Sequence, residues 1–164
     1  MPSGRKARRY WDSATCIGWL ADEPDKVALR RSVLDAAERG EVEIVVSALT
    51  LAEVLFVRGG ERIPVQKRDK IRDFFRREYV LVVDVTRRVA ELAQDVVWER
   101  GVKPKDAVHV ATALIAGAQF FDTFDDGLRR LSGTLGGSPA LAIGPPAPPE
   151  QQEIDFTAGP TLSS

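Results

Sequence analysis

Short runs of β-branched and aromatic residues, alternating with helical segments, are the feature that most constrains the fold of this chain. Val42–Ser47 and Tyr79–Val85 have the composition and length of buried strands. Shorter runs at 8–11, 119–121 and 140–143 have the same character. Strands that alternate with helices tend to pair in parallel, with helices covering both faces. The chain is therefore predicted to form an α/β sandwich around a mainly parallel sheet of about five short strands.

The segment after the second of these strands bears on the role of one carboxylate. We predict a helix over Leu49–Val57, with either Ser47 or Thr50 as its N-cap. If Thr50 is the cap, Glu53 stands three residues later and completes a capping box. Glu53 would then have a purely structural role, so the choice of cap decides whether it is free for chemistry.

Length and composition indicate one globular domain. The 164 residues are 29% charged and 44% hydrophobic, which is ordinary for a folded protein in water. We assign residues 8–143 to this domain. Residues 144–164 are rich in proline and then in polar and acidic residues, so we expect a flexible C-terminal tail.

Neither a disulfide framework nor a membrane segment is expected. Cys16 is the single cysteine, so no disulfide can form within the chain. No run approaches the roughly 20 apolar residues that cross a bilayer, and no apolar run of signal-peptide length follows the basic N-terminus. We therefore expect a cytoplasmic protein with no membrane partner.

The net charge of −1 hides an uneven distribution of charge. No Lys or Arg follows Arg130, whereas basic residues of the body cluster at 5–9 and at 58–77. Much of the second cluster lies on an amphipathic helix predicted over Val65–Arg77. Such clusters permit contact with phosphates, although most clusters of this kind are solvated helix faces.

The segment Lys103–Ala116 is predicted to be a buried helix with a carboxylate at its start. Pro104 suits the first helical position, and the helix dipole favours Asp106 in the first turn. The following residues are small or apolar almost all round, as in a helix enclosed by other elements. Dipole stabilisation alone could account for Asp106. His109, one turn later, is interpreted as a packed, hydrogen-bonded histidine rather than a general base.

Four carboxylates are predicted to meet at one edge of the sheet. They lie at or just past the carboxyl ends of strands, or early in a neighbouring helix, where ligands of parallel sheets collect. They are Asp12, Glu53, Asp106 and Asp125. Two carboxylates about 5 Å apart repel by roughly 3 kcal/mol at an effective dielectric of about 20, so some are protonated or a divalent cation neutralises them. Oxygen ligands favour Mg²⁺ or Mn²⁺ over zinc, and the chain has only one histidine.

Four motifs carry these residues: YWDS at 10–13, LTLAEVL at 49–55, KPKDAVHVATA at 103–113 and TFDD at 123–126. In order and spacing they resemble the acidic motifs of PIN-domain ribonucleases, and most of all those of the VapC toxins of bacterial toxin–antitoxin pairs. The resemblance covers residues 8–143 and implies a PIN-like α/β/α sandwich. It also implies a Mg²⁺- or Mn²⁺-dependent endoribonuclease acting on structured RNA such as tRNA, a cognate antitoxin that holds it inactive, and a homodimer.

The same resemblance assigns roles to individual residues. Asp12, Glu53 and Asp106 match the family's metal-binding catalytic positions. Lys103 and Lys105 are the basic residues nearest in sequence to one of these carboxylates. We predict that they bind RNA phosphates and restrain the repulsion around Asp106.

The fourth catalytic and metal-binding position maps to Asp125, because the family places it two residues after a Thr or Ser, here Thr123. Asp122 and Asp126 are neighbours that could share this role. Ser13 resembles the small hydroxyl residue that often follows the first aspartate. Ser13 and Thr123 are therefore predicted to support the site by hydrogen bonding.

Two other functions fit the same motifs. A PIN nuclease of RNA processing would share the catalytic residues and differ in its cellular role. In a catalytically silent PIN-fold binding module, the carboxylates would hold a metal ion only to shape a protein-binding groove. Metal-dependent RNA cleavage separates the nucleases from the binding module.

Overall fold

Five strands of the described residues form one sheet in the computed structural model. They are β1 (Ala7–Trp11), β2 (Val42–Ser47), β3 (Val80–Val83), β4 (Phe120–Asp122) and β5 (Ala142–Gly144). Every neighbouring pair is parallel, and the strand order is β3-β2-β1-β4-β5. The predicted parallel sheet of short strands is confirmed.

The structure describes residues 6–20, 27–56, 60–137 and 139–147. The α-helices in these ranges are α1 (Ser13–Leu20), α2 (Val27–Glu38), α3 (Ala48–Glu53), α4 (Arg68–Phe75), α5 (Arg87–Arg100), α6 (Pro104–Ile115) and α7 (Asp126–Arg129). A 3-10 turn, Val65–Lys67, precedes α4, and the two together occupy most of the segment predicted as one basic helix. No helix in these ranges has the length and apolar character needed to span a bilayer. Of the predicted tail, residues 148–164 lie outside the described residues.

Side chains that alternate along the central strands enter two separate cores. Tyr10 and Val45 belong to a buried cluster with residues of α5, α6 and α7. Their neighbours Trp11 and Ile44 belong to a second cluster with residues of α1, α2 and α4. Because successive strand residues face opposite sides of a sheet, the two clusters are the contacts of the sheet with its two helix layers. The predicted α/β/α sandwich is confirmed.

The strand order creates a topological switch point between β1 and β4. From β1 the chain adds β2 and β3 on one side, and then returns to add β4 and β5 on the other. Ligands of open parallel sheets bind outside the carboxyl ends of the strands at such a point. Asp12 directly follows β1, and Asp125 follows β4 after two intervening residues.

Helix α3 begins one residue earlier than predicted and ends at Glu53, and Ser47 is its N-cap. The Ser47 hydroxyl accepts a hydrogen bond from the Leu49 amide at 3.1 Å. Thr50 lies inside the helix and is fully buried. The alternative in which Thr50 and Glu53 form a capping box is therefore wrong. Glu53 is instead the last residue of α3, and its carboxylate is available to the sheet edge.

Strand β3 is shorter than predicted because its C-terminal side leaves the sheet. It spans Val80–Val83 instead of Tyr79–Val85. Asp84 and Val85 are exposed and lead into Thr86. The Thr86 hydroxyl accepts from the Val89 amide at 3.2 Å and caps α5, so these residues serve the helix start.

Candidate functional site

Asp12 is fixed at the carboxyl end of β1 by three hydrogen bonds. Its Oδ1 accepts from the Thr15 amide at 2.9 Å and from the Thr15 hydroxyl at 2.7 Å. Its Oδ2 accepts from the Thr123 hydroxyl at 2.6 Å. The residue is 8% exposed, so its carboxylate is held in one orientation with only a small opening to solvent.

Thr123 connects the ends of β1 and β4. Its hydroxyl donates to Asp12 and accepts from the Asp125 backbone amide at 3.1 Å. Asp125 then caps α7, because its Oδ1 accepts from the Leu128 amide at 3.0 Å. Thr123 therefore joins the first carboxylate to the backbone of Asp125, the residue predicted to carry the fourth.

Glu53 is oriented by two donors from other elements. Its Oε1 accepts from the Ser13 hydroxyl and from His109 Nε2, each at 2.8 Å. Burial acts to raise the pKa of Glu53, but the hydrogen bonds from His109 and Ser13, together with the positive charge of Lys105, outweigh it and lower the pKa. Glu53 is thus an ionised carboxylate at neutral pH.

Asp106 lies in the first turn of α6 and interacts with carboxylates of two other segments. Partial burial is the largest cause of a raised pKa for Asp106, followed by the negative charge of Asp125 and, more weakly, of Asp12. His109 and Lys103 act in the opposite direction. The carboxylates of Asp125 and Asp12, which are far from Asp106 in sequence, are therefore close enough for their charges to act on it.

We call the four predicted carboxylates the acidic edge: Asp12, Glu53, Asp106 and Asp125. Within the described residues, Asp12, Asp106 and Asp125 form no ion pair with Lys or Arg. An oxygen-donor set with unbalanced negative charge fits a hard divalent cation in its chemistry. In the same described residues, no three His, Cys, Asp or Glu side chains are arranged around a single point that could hold an ion. Asp12 instead turns both oxygens toward protein donors, so binding an ion there would exchange some of these hydrogen bonds, whereas Ser13 and His109 both donate to Oε1 of Glu53.

The two aspartates that flank this region in sequence have different surroundings. Asp122 is 1% exposed and accepts from Arg9 at 2.8 and 2.6 Å and from Trp11 Nε1 at 3.0 Å. The side chain of Asp126 is 92% exposed and pairs with Arg129 in the same short helix. Asp125, in contrast, lines a cavity together with Asp106.

That cavity has a volume of about 510 Å³ and opens beside the acidic edge. Its basic lining residues are Arg100, Lys103 and Arg130, and we call it the basic groove. Lys103 was predicted as a phosphate contact, whereas Arg100 and Arg130 were missed because they lie just outside the motifs, three residues before KPKDAVHVATA and four residues after TFDD. Lys105 is not among the lining residues, and its charge acts on Glu53 instead.

Two further residues of the site received no role from the sequence. Thr15 stands three residues after Asp12, which is the spacing of an N-cap and its first-turn partner, so a local signal was present. Tyr10 is fully buried, and its hydroxyl is hydrogen-bonded to His109 Nδ1. No local pattern could indicate this second contact, because the two residues are 99 positions apart. His109 is 3% exposed and hydrogen-bonded at both ring nitrogens, as a packed histidine would be.

Comparisons with known proteins find the same fold elsewhere. The PIN domain family matches residues 9–133. VapBC2 from Rickettsia felis, bound to a DNA fragment from its promoter, is similar with a TM-score of 0.59 and 14% identity over 83% of this chain and 98% of that one. VapC20 from Mycobacterium tuberculosis, a toxin that cleaves the sarcin–ricin loop, has a TM-score of 0.55 and 18% identity over 72% and 90% of the chains. A toxin–antitoxin complex from Klebsiella pneumoniae has a TM-score of 0.50 and 19% identity over 71% and 86%. A search of curated protein sequences found no match.

Proposed function

This chain belongs to the PIN domain family, as its motifs predicted, and we propose that it is a divalent-metal-dependent endoribonuclease that acts as the toxin of a toxin–antitoxin pair. The observation that carries the proposal is the arrangement of three carboxylates from separate segments at the switch point: the Thr123 hydroxyl joins Asp12 to the Asp125 backbone, and Asp106 and Asp125 line one cavity. Such carboxylates repel a phosphodiester as well as one another. A cation that binds both would remove each repulsion.

The catalytic residues that hold Mg²⁺ or Mn²⁺ in this proposal are Asp12, Glu53, Asp106 and Asp125. When bound, such an ion supplies Lewis acidity, which activates water and neutralises charge on the phosphodiester under attack. The chain's own hydroxyl groups support the carboxylates: Thr123 orients Asp12, and Ser13 orients Glu53.

The proposed substrate is structured RNA, such as tRNA, whose backbone enters the basic groove. Arg100, Lys103 and Arg130 line this groove beside two of the carboxylates. Basic side chains in this position would hold phosphates against the acidic edge. Lys105, whose positive charge lowers the pKa of Glu53, would contact RNA phosphates on the Glu53 side of the acidic edge. Because such RNA is cytoplasmic, we propose a cytoplasmic location.

A protein partner is supported by an exposed apolar groove that includes residues of α3. The groove has a volume of about 900 Å³, and its lining includes Leu51, Leu55, Ile63 and Val65. Leu55 is 41% and Val65 is 65% exposed, and exposed apolar patches of this kind mark interaction sites. We propose that the cognate antitoxin packs here and extends to the acidic edge, and that the toxin itself is a homodimer. Light scattering of the purified chain tests the dimer.

The nuclease domain in this proposal is residues 8–143, and β5 carries the sheet one residue further to Gly144. We assign no function to residues 145–164, which follow β5.

Cleavage of RNA by the purified protein tests the activity. Total tRNA and other structured RNAs would be incubated with Mg²⁺ or Mn²⁺, beside reactions with EDTA and with Asp106→Asn. We expect cutting that both controls abolish. If well-folded protein that binds Mn²⁺ cuts none of these RNAs, the chain is a binding module and the carboxylates are its scaffold.

Expression in the absence of an antitoxin tests the toxin role. We expect growth arrest that Asp12→Asn relieves. RNA cleavage in vitro without growth arrest would favour a nuclease of RNA processing. Growth arrest that persists in Asp12→Asn would mean that the carboxylates do not cause it.

A further inference from the structure

The contacts of the single histidine with Tyr10 and Glu53 carry an inference that rests on the proposed function and deepens it. We propose that His109 is a positioning residue for Glu53. Its Nε2–H donates to one carboxylate oxygen of Glu53, so that the other oxygen is left for a divalent cation. The Tyr10 hydroxyl is hydrogen-bonded to the opposite ring nitrogen and fixes the imidazole.

The donors that reach Glu53 all act on the same oxygen. Oε1 accepts from His109 Nε2 and from the Ser13 hydroxyl, each at 2.8 Å. Among the described residues, Oε2 accepts no hydrogen bond. One oxygen is thus used for orientation while the other keeps its lone pairs for a ligand from outside the chain.

His109 is anchored to the centre of the sheet. Its ring packs edge-on against Tyr10, with centroids 5.8 Å apart and planes at 60°. Tyr10 is fully buried in β1 and packs against Phe121 of β4, with centroids 4.8 Å apart. These are the two strands of the switch point, whose ends lead to Asp12 and Asp125. The imidazole therefore connects Glu53 to β1 and β4, the strands that lead to Asp12 and Asp125.

The direction of the hydrogen bond to Glu53 follows from the chemistry of its partners. An ionised carboxylate only accepts, so the hydrogen on Nε2 points at Glu53. Nδ1, the other ring nitrogen, is hydrogen-bonded to the buried Tyr10 hydroxyl. Burial is the main cause that raises the pKa of Tyr10 well above its ordinary value, so this hydroxyl keeps its proton. Tyr10, His109 and Glu53 therefore form one hydrogen-bonded line from the core to the acidic edge.

A pair of variants separates positioning from structural support. His109→Leu keeps an apolar side chain of comparable size and removes the donor. His109→Gln keeps an N–H donor near the end of a side chain of similar reach. A histidine that only stabilises the fold would change the unfolding temperature without changing the Mn²⁺ affinity of the folded protein. If His109 positions Glu53, the Mn²⁺ affinity should fall when the N–H donor is removed and return when an N–H donor is restored.

Mn²⁺ binding to the full-length, untagged protein gives the first readout, measured by electron paramagnetic resonance with circular dichroism to confirm folding. We expect His109→Leu to weaken binding by about 10–100-fold, the range typical for groups that orient a metal ligand, and His109→Gln to restore most of the affinity. Tyr10→Phe should weaken binding by a smaller factor. It should have no further effect in the His109→Leu background, because it acts through His109.

The imidazole itself gives a second readout, which needs neither metal nor RNA. The chain contains one histidine, so the ¹⁵N imidazole signals report on His109 alone. We expect a proton on Nε2 in the metal-free protein. An Nε2 that carries no proton would overturn the inference.

The outcomes distinguish the inference from the function on which it rests. Equal Mn²⁺ affinity in the wild type and in folded His109→Leu would overturn positioning by His109 and leave the nuclease proposal intact. If the folded wild type binds no Mn²⁺, the nuclease proposal fails and the inference fails with it.

Discussion

Replacing Asp122 by asparagine is expected to lower the free energy of unfolding of this domain by about 3–5 kcal/mol. Asp122 and Arg9 are each 1% exposed and share two hydrogen bonds, of 2.8 and 2.6 Å. Trp11 Nε1 donates a third at 3.0 Å. Asparagine has nearly the same shape, so the change creates no cavity. It removes the negative charge that the buried Arg9 guanidinium contacts at 2.8 and 2.6 Å, which is the source of the cost.

The loss is large relative to the stability of a typical domain, which is about 5–15 kcal/mol. A domain of this size loses about 2–4 °C in unfolding temperature per kcal/mol, so we expect a decrease of about 6–20 °C. Urea unfolding in EDTA, followed by tryptophan fluorescence, measures the free energy directly because Trp11 is buried beside the pair. EDTA removes divalent cations, so metal binding does not contribute to the measured free energy of unfolding.

Two control variants test whether the loss of stability comes from disrupting a buried ion pair. Arg87→Met breaks an ion pair with Glu91 whose side chains are 91% and 59% exposed, so no measurable change is expected. The double variant Arg9→Met with Asp122→Leu should recover most of the lost stability, because both buried charges of this pair are removed together. Wild-type stability in Asp122→Asn would refute the reasoning. If RNA cleavage were lost at full stability, Asp122 would become a candidate metal ligand.

Three further changes test single contacts. Ser47→Ala removes the N-cap of α3 and should lower the free energy of unfolding by about 1 kcal/mol in urea denaturation, whereas an unchanged value would mean that the cap contributes nothing. Asp125→Asn keeps a good N-cap but removes a charge, so RNA cleavage should be lost at near wild-type unfolding temperature. Full cleavage by this variant would exclude Asp125 from the site. Lys103→Ala with Lys105→Ala should weaken cleavage and make the plot of log kcat/KM against log salt shallower by about 1.4, at about 0.7 per phosphate contact. An unchanged slope would contradict phosphate contact.

Elements that depend on neighbouring residues could be predicted from the sequence. Strand β2 has its predicted bounds, because a β-branched run is followed directly by a capping serine. Helix α6 begins at Pro104, where proline is tolerated and the chain is extended before it. The cap of α3 was left open because Ser47 and Thr50 are both suitable residues. The choice depends on where β2 ends against its neighbours, which is a tertiary property.

Contacts between distant residues could not be predicted. The Arg9–Asp122 and Tyr10–His109 contacts span 113 and 99 positions. Arg9–Asp122 requires β1 and β4 to be neighbours, with Trp11 in register with Asp122. An alternation of strands and helices predicts a parallel sheet but leaves the strand order undetermined. The carboxylates of the acidic edge could therefore be selected by position, and so could Ser13 and Thr123, which lie in the same motifs. The contact of His109 with Tyr10 could not.

RNA cleavage by a matched series of isosteric variants tests the acidic edge most directly. Each variant removes one charge and is compared with Asp126→Asn, whose side chain is exposed and paired with Arg129. The series is Asp12→Asn, Glu53→Gln, Asp106→Asn and Asp125→Asn. We predict that all four stay folded and lose Mn²⁺-dependent cleavage, while Asp126→Asn cleaves like the wild type. Cleavage that survives in any of the four, or that persists in EDTA, would contradict a metal-dependent site built from these carboxylates.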